Sequence, residues 1–214
     1  MKRKITCFCD NAFDVEVPEE IDLDSNSKYL EEILGGSFLS FKCPGCGKIH
    51  KPEFPLSVVW PSQKISFEVL PELERGEFYR RKKPSAEKSP FPRDTLIGYP
   101  EMSERLAVIR DGFNPAVVEA IKYYLHVKAE EQYPDDELEI YYFGGEQGSG
   151  EQGSLEFHIH GLRQNEVAVM KIPLSLYEKT MEDYKKHPKN DLFSSLRVHS
   201  YLSVKNTMRP EIFK

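Results

Sequence analysis

The apolar positions of this chain change period several times, and each change marks an element. Phe13-Asp14-Val15-Glu16-Val17 alternates apolar with acidic residues, which predicts a half-exposed strand. A polar stretch, Asp22 to Ser27, follows. Tyr29, Leu30, Ile33 and Leu34 then recur at helical spacing, and Gly35-Gly36 stops the turn. Phe38 to Phe41 leads as a strand into a cysteine-bearing turn, and Lys48 to Lys51 leads out of it. Phe54 to Trp60 and Ile65 to Leu70 predict two more strands around the turn Pro61-Ser62-Gln63-Lys64.

Residues 71–100 lose any period. Pro71, Pro84, Pro90, Pro92 and Pro100 punctuate them, around Arg80-Arg81-Lys82-Lys83, and the text predicts a linker or wrapping arm. Beyond it, Ser103 predicts the cap of a short helix carrying Leu106 and Ile109. Asn114-Pro115 predicts a second helix start, a capping side chain followed by proline at the first helical position. Val117, Ile121, Tyr124 and Leu125 line one face of that helix. Leu138 to Gly144 and Leu155 to Gly161 read as related strands. The loop between them repeats Glu-Gln-Gly-Ser, at Glu146 to Ser149 and Glu151 to Ser154, and its composition predicts a hairpin tip. Val167 to Ile172 predicts another strand, and Ser175 to Glu178 has capping-box spacing ahead of a helix with Met181 and Tyr184. In the tail, Leu192, Phe193 and Leu196 suggest a helical turn, and Val198, Ser200, Leu202 and Val204 a strand.

Charged residues are 30% of the 214 and hydrophobic ones 39%, the balance of a water-soluble globular chain. The formal net charge of -6 lowers the expectation of non-specific nucleic-acid binding. Met1-Lys2-Arg3-Lys4 starts like a signal peptide, but no apolar stretch follows it, and no run approaches the roughly 20 apolar residues of a membrane span. A cytoplasmic setting without a membrane partner is the expectation. In that compartment paired cysteines more often bind metal than each other.

All four cysteines, Cys7, Cys9, Cys43 and Cys46, fall in the first 46 residues as two tight pairs. Cys43-Pro44-Gly45-Cys46-Gly47 has the two-residue spacing that turns both sulfurs toward one point. Pro44 presets the turn, and the glycines let backbone N–H groups approach sulfur. Cys7-Phe8-Cys9 has one spacer, and residues i and i+2 of a strand face the same side. The expectation is one zinc held by four thiolates, a structural site. The alternative shell is three cysteines completed by Asp10 or His50. Thiolates also suit iron. Lys4, Lys42 and Lys48 flank the cysteines and offset their charge.

Elsewhere, Glu156, His158 and His160 share one face of a predicted strand, a candidate metal or acid/base cluster set against the plainer reading of an exposed polar face. Arg80 to Lys83 is a candidate phosphate contact, set against a solvated patch. No glycine-rich phosphate loop or nucleophile elbow is present.

Ile5-Thr6-Cys7, the strand Phe13 to Val17, the helix ending in Gly35-Gly36, Phe41-Lys42-Cys43-Pro44-Gly45-Cys46-Gly47, Phe54-Pro55-Leu56 and Val69-Leu70-Pro71 together resemble the bacterial CpXC domain. Glu104 to Tyr124 also resembles the region that follows in longer members. The resemblance implies a zinc-ribbon-like fold and no established activity. The family's first motif has a proline and places its second cysteine at position 10, where this chain has Phe8 and Asp10.

The fold expected is α+β: a zinc-ribbon-like β-hairpin module with one short helix over residues 1–72, a Pro-rich basic linker over 73–100, and a mixed domain of helices and antiparallel sheet over 101–214. The function expected is a non-enzymatic module binding a protein partner. The alternatives are an enzyme with its site near His158 and His160, and a nucleic-acid-binding ribbon.

Overall fold

The computed structural model describes residues 1–81, 91–134, 137–146, 153–163 and 166–208. Lys82, Lys83, Pro84 and Pro90 of the expected linker, and 147–152 of the repeated loop, lie outside them. Seven α-helices and mixed or antiparallel sheets among the described residues make the chain α+β. It divides into two compact units, Met1–Ser103 and Glu104–Lys214.

The first unit opens with strands β1 (Lys2–Thr6) and β2 (Ala12–Glu16), an antiparallel hairpin. Strand β3 (Glu20–Asp22) and helix α1 (Ser27–Leu34) follow. Asn26 caps α1 by accepting the Lys28 N–H at 3.2 Å. A second, shorter antiparallel hairpin pairs β4 (Phe41–Lys42) with β5 (Ile49–His50). Strands β6 (Leu56–Trp60) and β7 (Ile65–Leu70) come next, then helix α2 (Arg75–Arg80) and strand β8 (Arg93–Ile97). Four of these strands share one sheet in the order β3-β6-β7-β8. Pairs β3/β6 and β7/β8 are parallel, and β6/β7 is antiparallel.

Part of the stretch read as a linker is therefore ordered secondary structure. Strand β8 shows no alternation because Thr95, Leu96 and Ile97 are buried in succession, as in a parallel strand covered on both faces. The Arg75 guanidinium, itself buried, bonds Glu72, Glu101 and the Ile97 carbonyl, which ties α2 to the end of β8.

Helix α3 (Tyr99–Arg110) starts four residues before Ser103. Its cap comes from a distant residue: the Glu53 carboxylate accepts the Tyr99 N–H at 2.7 Å and the Glu72 N–H at 2.6 Å. Gly98 precedes the helix at φ 85°, a conformation that favours glycine.

In the second unit, Asn114 caps α4 (Pro115–Gln132) as predicted, accepting the Ala116 N–H at 2.9 Å. Strands β9 (Glu139–Glu146), β10 (Ser154–His160) and β11 (Ala168–Pro173) form an antiparallel sheet in that order. Helix α5 (Leu174–Lys186) follows directly on Pro173, so Ser175 lies inside it and does not cap it. Helix α6 (Asp191–Ser195), the short hairpin of β12 (Arg197–Val198) with β13 (Tyr201–Leu202), and α7 (Lys205–Met208) complete the unit. Phe113, Tyr142, Phe157 and Tyr177 meet edge to face in its interior, on the side of β10 that also buries Leu155 and Ile159.

Four charged side chains are buried together in this unit. Lys122 donates to Glu104 at 2.8 Å and to Glu119 at 3.3 Å. Glu104 also accepts the Tyr142 N–H, and Glu119 the Val204 N–H. Arg105 lies 3.8 Å from Glu119 and donates to the Leu202 carbonyl. Burial lifts the Glu104 carboxyl to about 7, against the pull of Lys122. Burial also lowers His126, with Lys122 adding to the effect, from 6.5 to about 4.

The His126 shift has a definite sign. A histidine kept neutral in the folded state stabilises above its unfolded value of 6.5, and that contribution is lost as pH falls toward 4. His126→Gln is expected to hold stability better than the parent at pH 5, by at most about 2 kcal/mol, with little difference at pH 8. Denaturant titrations at the two pH values check this, and equal losses in both proteins would contradict it.

No helix among the described residues is long and apolar enough to cross a membrane.

Candidate metal centre

Two hairpin tips bring the cysteines together. At the end of β1 and β2 the Cys7 N–H bonds the Asn11 carbonyl, and the Asp10 N–H bonds the Cys7 carbonyl, both at 2.9 Å. This tight turn puts Asp10 at φ 63°, a left-handed value that aspartate tolerates better than most residues. Cys9 thus reaches the centre from a turn and not, as the spacing suggests, from an extended strand. At the second tip the Cys43 N–H bonds the Lys48 carbonyl at 2.8 Å, and Gly47 N–H bonds the Cys43 carbonyl at 2.9 Å, with Gly47 at φ 75°. Gly45 lets the tips approach closely: a Cβ there would lie a tight 3.2 Å from the Asn11 Cβ. Beneath them, Ile5, Val15 and Val17 are buried with Phe13, Leu39, Phe41 and Phe54 packed against them.

All four sulfurs lie within 4.8 Å of one another. Cys7 and Cys46 are 3.5 Å apart, and Cys9 and Cys43 3.7 Å. A tetrahedral shell with metal–sulfur bonds of about 2.3 Å sets its sulfurs about 3.8 Å apart, so the cluster could hold one metal ion. Asp10 and His50 are not part of this converging group.

Burial opposes ionisation of Cys43, yet the Cys46 and Gly45 N–H groups and the Cys7 and Cys9 thiols together bring it down to about 6. Cys7 is pulled down by the Cys9 N–H, but burial and sharing with neighbouring sulfurs push it up to about 12. Four thiolates this close repel one another unless a cation sits between them. Asn11, whose role the sequence did not disclose, aims its Nδ2 at the Cys43 sulfur from 3.7 Å.

His50 stands behind the cluster. Its Nε2 is 3.1 Å from the Cys7 sulfur, and its ring neighbours those of Phe8 and Phe13, at centroid distances of 6.1 and 6.3 Å. In the tautomer that carries its proton on Nε2, His50 donates to the Cys7 sulfur and would disperse the negative charge of a thiolate there. His50→Phe keeps a ring in this slot and removes the nitrogen beside the Cys7 sulfur. It is expected to weaken metal binding about 10- to 100-fold, measured by chelator competition. Unchanged affinity would mean that His50 only fills space.

The other sequence candidates do not converge in this way. Glu156, His158 and His160 do share the outer face of β10, but no metal-holding group includes them among the described residues. His158 stacks on Phe143 at 4.0 Å and meets Glu156 at 3.1 Å, while Lys171 lies 3.3 Å from Glu156. The His158 hydrogen bond, aided by Lys171, lowers the Glu156 carboxyl. His160 is exposed, with its ring edge-on to Tyr141. In the basic stretch, Arg81 pairs with Glu77 and Glu74 at 3.1 and 3.3 Å.

Comparison with known proteins agrees with the cysteine pattern. The CpXC protein family matches residues 5–122. An uncharacterized protein of Treponema pallidum (strain Nichols) is 30% identical over 217 residues, covering 95% of this chain and 97% of the relative. No solved structure matches the chain.

Proposed function

The chain belongs to the CpXC protein family, and on that premise we propose that it binds one structural zinc through Cys7, Cys9, Cys43 and Cys46 and serves as a non-enzymatic protein-binding module. The convergence of four sulfurs within 4.8 Å carries the reading. Four thiolates suit zinc and fill its shell, leaving no position for water or substrate. A closed shell contributes to folding, since two short hairpins gain a fixed partner.

The surface supports the adaptor role. Phe8 is 90% exposed and Ile49 67%, both on the hairpins that the cysteines join, and large apolar groups displayed this way suit a protein partner. The nucleic-acid reading is weakened because Arg81 is neutralised by Glu74 and Glu77. The enzyme reading is weakened because a 210 Å³ cavity beside β10 is lined by Glu156 and Lys171, not by His158 or His160.

Cobalt titration of metal-free protein tests the site. One equivalent should saturate it with the intense visible bands of tetrahedral thiolate cobalt, and one equivalent of zinc should displace it. Weak bands of octahedral cobalt, or no saturation at one equivalent, would refute the reading.

A further inference from the structure

The first unit holds a cavity of about 390 Å³ that the metal centre does not use. It lies among the end of α1, the chain after β5 and the first turn of α3. Ile33, Phe38 and Met102, all buried, line it together with Leu34 and Pro100. Its volume falls in the range of small-molecule sites, which are mostly apolar with few polar groups.

The polar groups of the lining are engaged by the protein itself. The Tyr99 hydroxyl accepts the Phe54 N–H at 3.0 Å and donates to the Phe54 carbonyl at 3.1 Å. Ser103 donates to the Ile33 carbonyl at 3.3 Å. Glu53 is held by the two backbone N–H groups that it caps, at the positive end of α3. Lys51 differs. It is exposed, donates one N–H to the Gly36 carbonyl at 2.7 Å, and forms no ion pair among the described residues. Its ammonium carries three N–H groups, so two remain for a ligand.

An apolar chamber lined by a lysine with spare N–H donors fits an apolar molecule ending in an anion. We propose that this cavity binds a small apolar carboxylate, its hydrocarbon part against Ile33, Phe38 and Met102 and its carboxylate on Lys51. Glu53 opposes an anion here, but both of its oxygens accept backbone N–H groups, whereas the Lys51 ammonium keeps two donors. The proposal does not depend on metal at the cysteines.

Octanoate, 1-octanol and octylammonium share one chain and differ in head-group charge. In NMR titrations of the full chain, octanoate is expected to shift the Met102 and Ile33 methyl signals and to bind about tenfold more tightly than octanol. Lys51→Glu, at an exposed position, should fold as the parent does and reverse the order, so that octylammonium binds best. Met102→Trp should fill the chamber and abolish binding of all three. Octanol binding as tightly as octanoate, an unchanged order in Lys51→Glu, or shifts that spare Met102 and Ile33 would each overturn the proposal.

Discussion

Replacing Cys43 by serine is expected to release the metal and unfold both hairpin tips. Cys43 is 1% exposed and is the sulfur that receives the Asn11 N–H and the backbone donors of its own turn. A serine hydroxyl is a far weaker zinc ligand than a thiolate. Structural zinc contributes about 10–16 kcal/mol of apparent binding free energy in small modules, and that energy is folding energy. Among the described residues the local buried cluster is Ile5, Val15 and Val17, a small base for two hairpins. Zinc content should fall from one per chain toward zero. Amide exchange should accelerate across Lys2–Thr6, Ala12–Glu16 and Ile49–His50, and protection in β9, β10 and β11 should persist. A variant with full zinc content and unchanged exchange would remove the four-sulfur site from the account.

The second large effect is expected in the second unit. Lys122→Met removes the cation between Glu104 and Glu119 while keeping an unbranched apolar stem. Two buried carboxylates then lose the cation they share, and Arg105 lies 3.8 Å from Glu119. Breaking a buried pair by removing one partner costs about 3–5 kcal/mol. The pH dependence has a definite sign. Glu104 already titrates near 7 because of burial, above its ordinary 4.5, so its ionisation removes stability as pH rises across that window. Without Lys122 this loss deepens. The variant should therefore recover part of its deficit near pH 5, where Glu104 takes up a proton. Adding Glu104→Gln should restore part of the stability at pH 8, since an amide still accepts the Tyr142 N–H. Additive effects of the two substitutions would mean that the pair does not interact.

The sequence disclosed the features whose causes are local. Asn114-Pro115 starts a helix by its own chemistry, and Cys43-Pro44-Gly45-Cys46-Gly47 curls around a centre wherever it is placed. Features with distant causes were hidden. Helix α3 begins at Tyr99 because a carboxylate 46 residues earlier in the chain accepts its first N–H. Strand β8 carries no period because its buried residues are consecutive, and Pro92 and Pro100 on either side of it give the stretch the look of a linker. Ser175 has the spacing of a cap but sits inside α5, which opens at Leu174. The contribution of Asn11 depends on a second hairpin more than thirty residues away, and no spacing rule reports it.

The most direct test of the central claim is elemental analysis of the purified protein, with thiol titration before and after chelation. One zinc per chain, with all four thiols masked until the metal is removed, is the result expected. Protein without metal, whose thiols react freely from the start, would contradict the structural-zinc account.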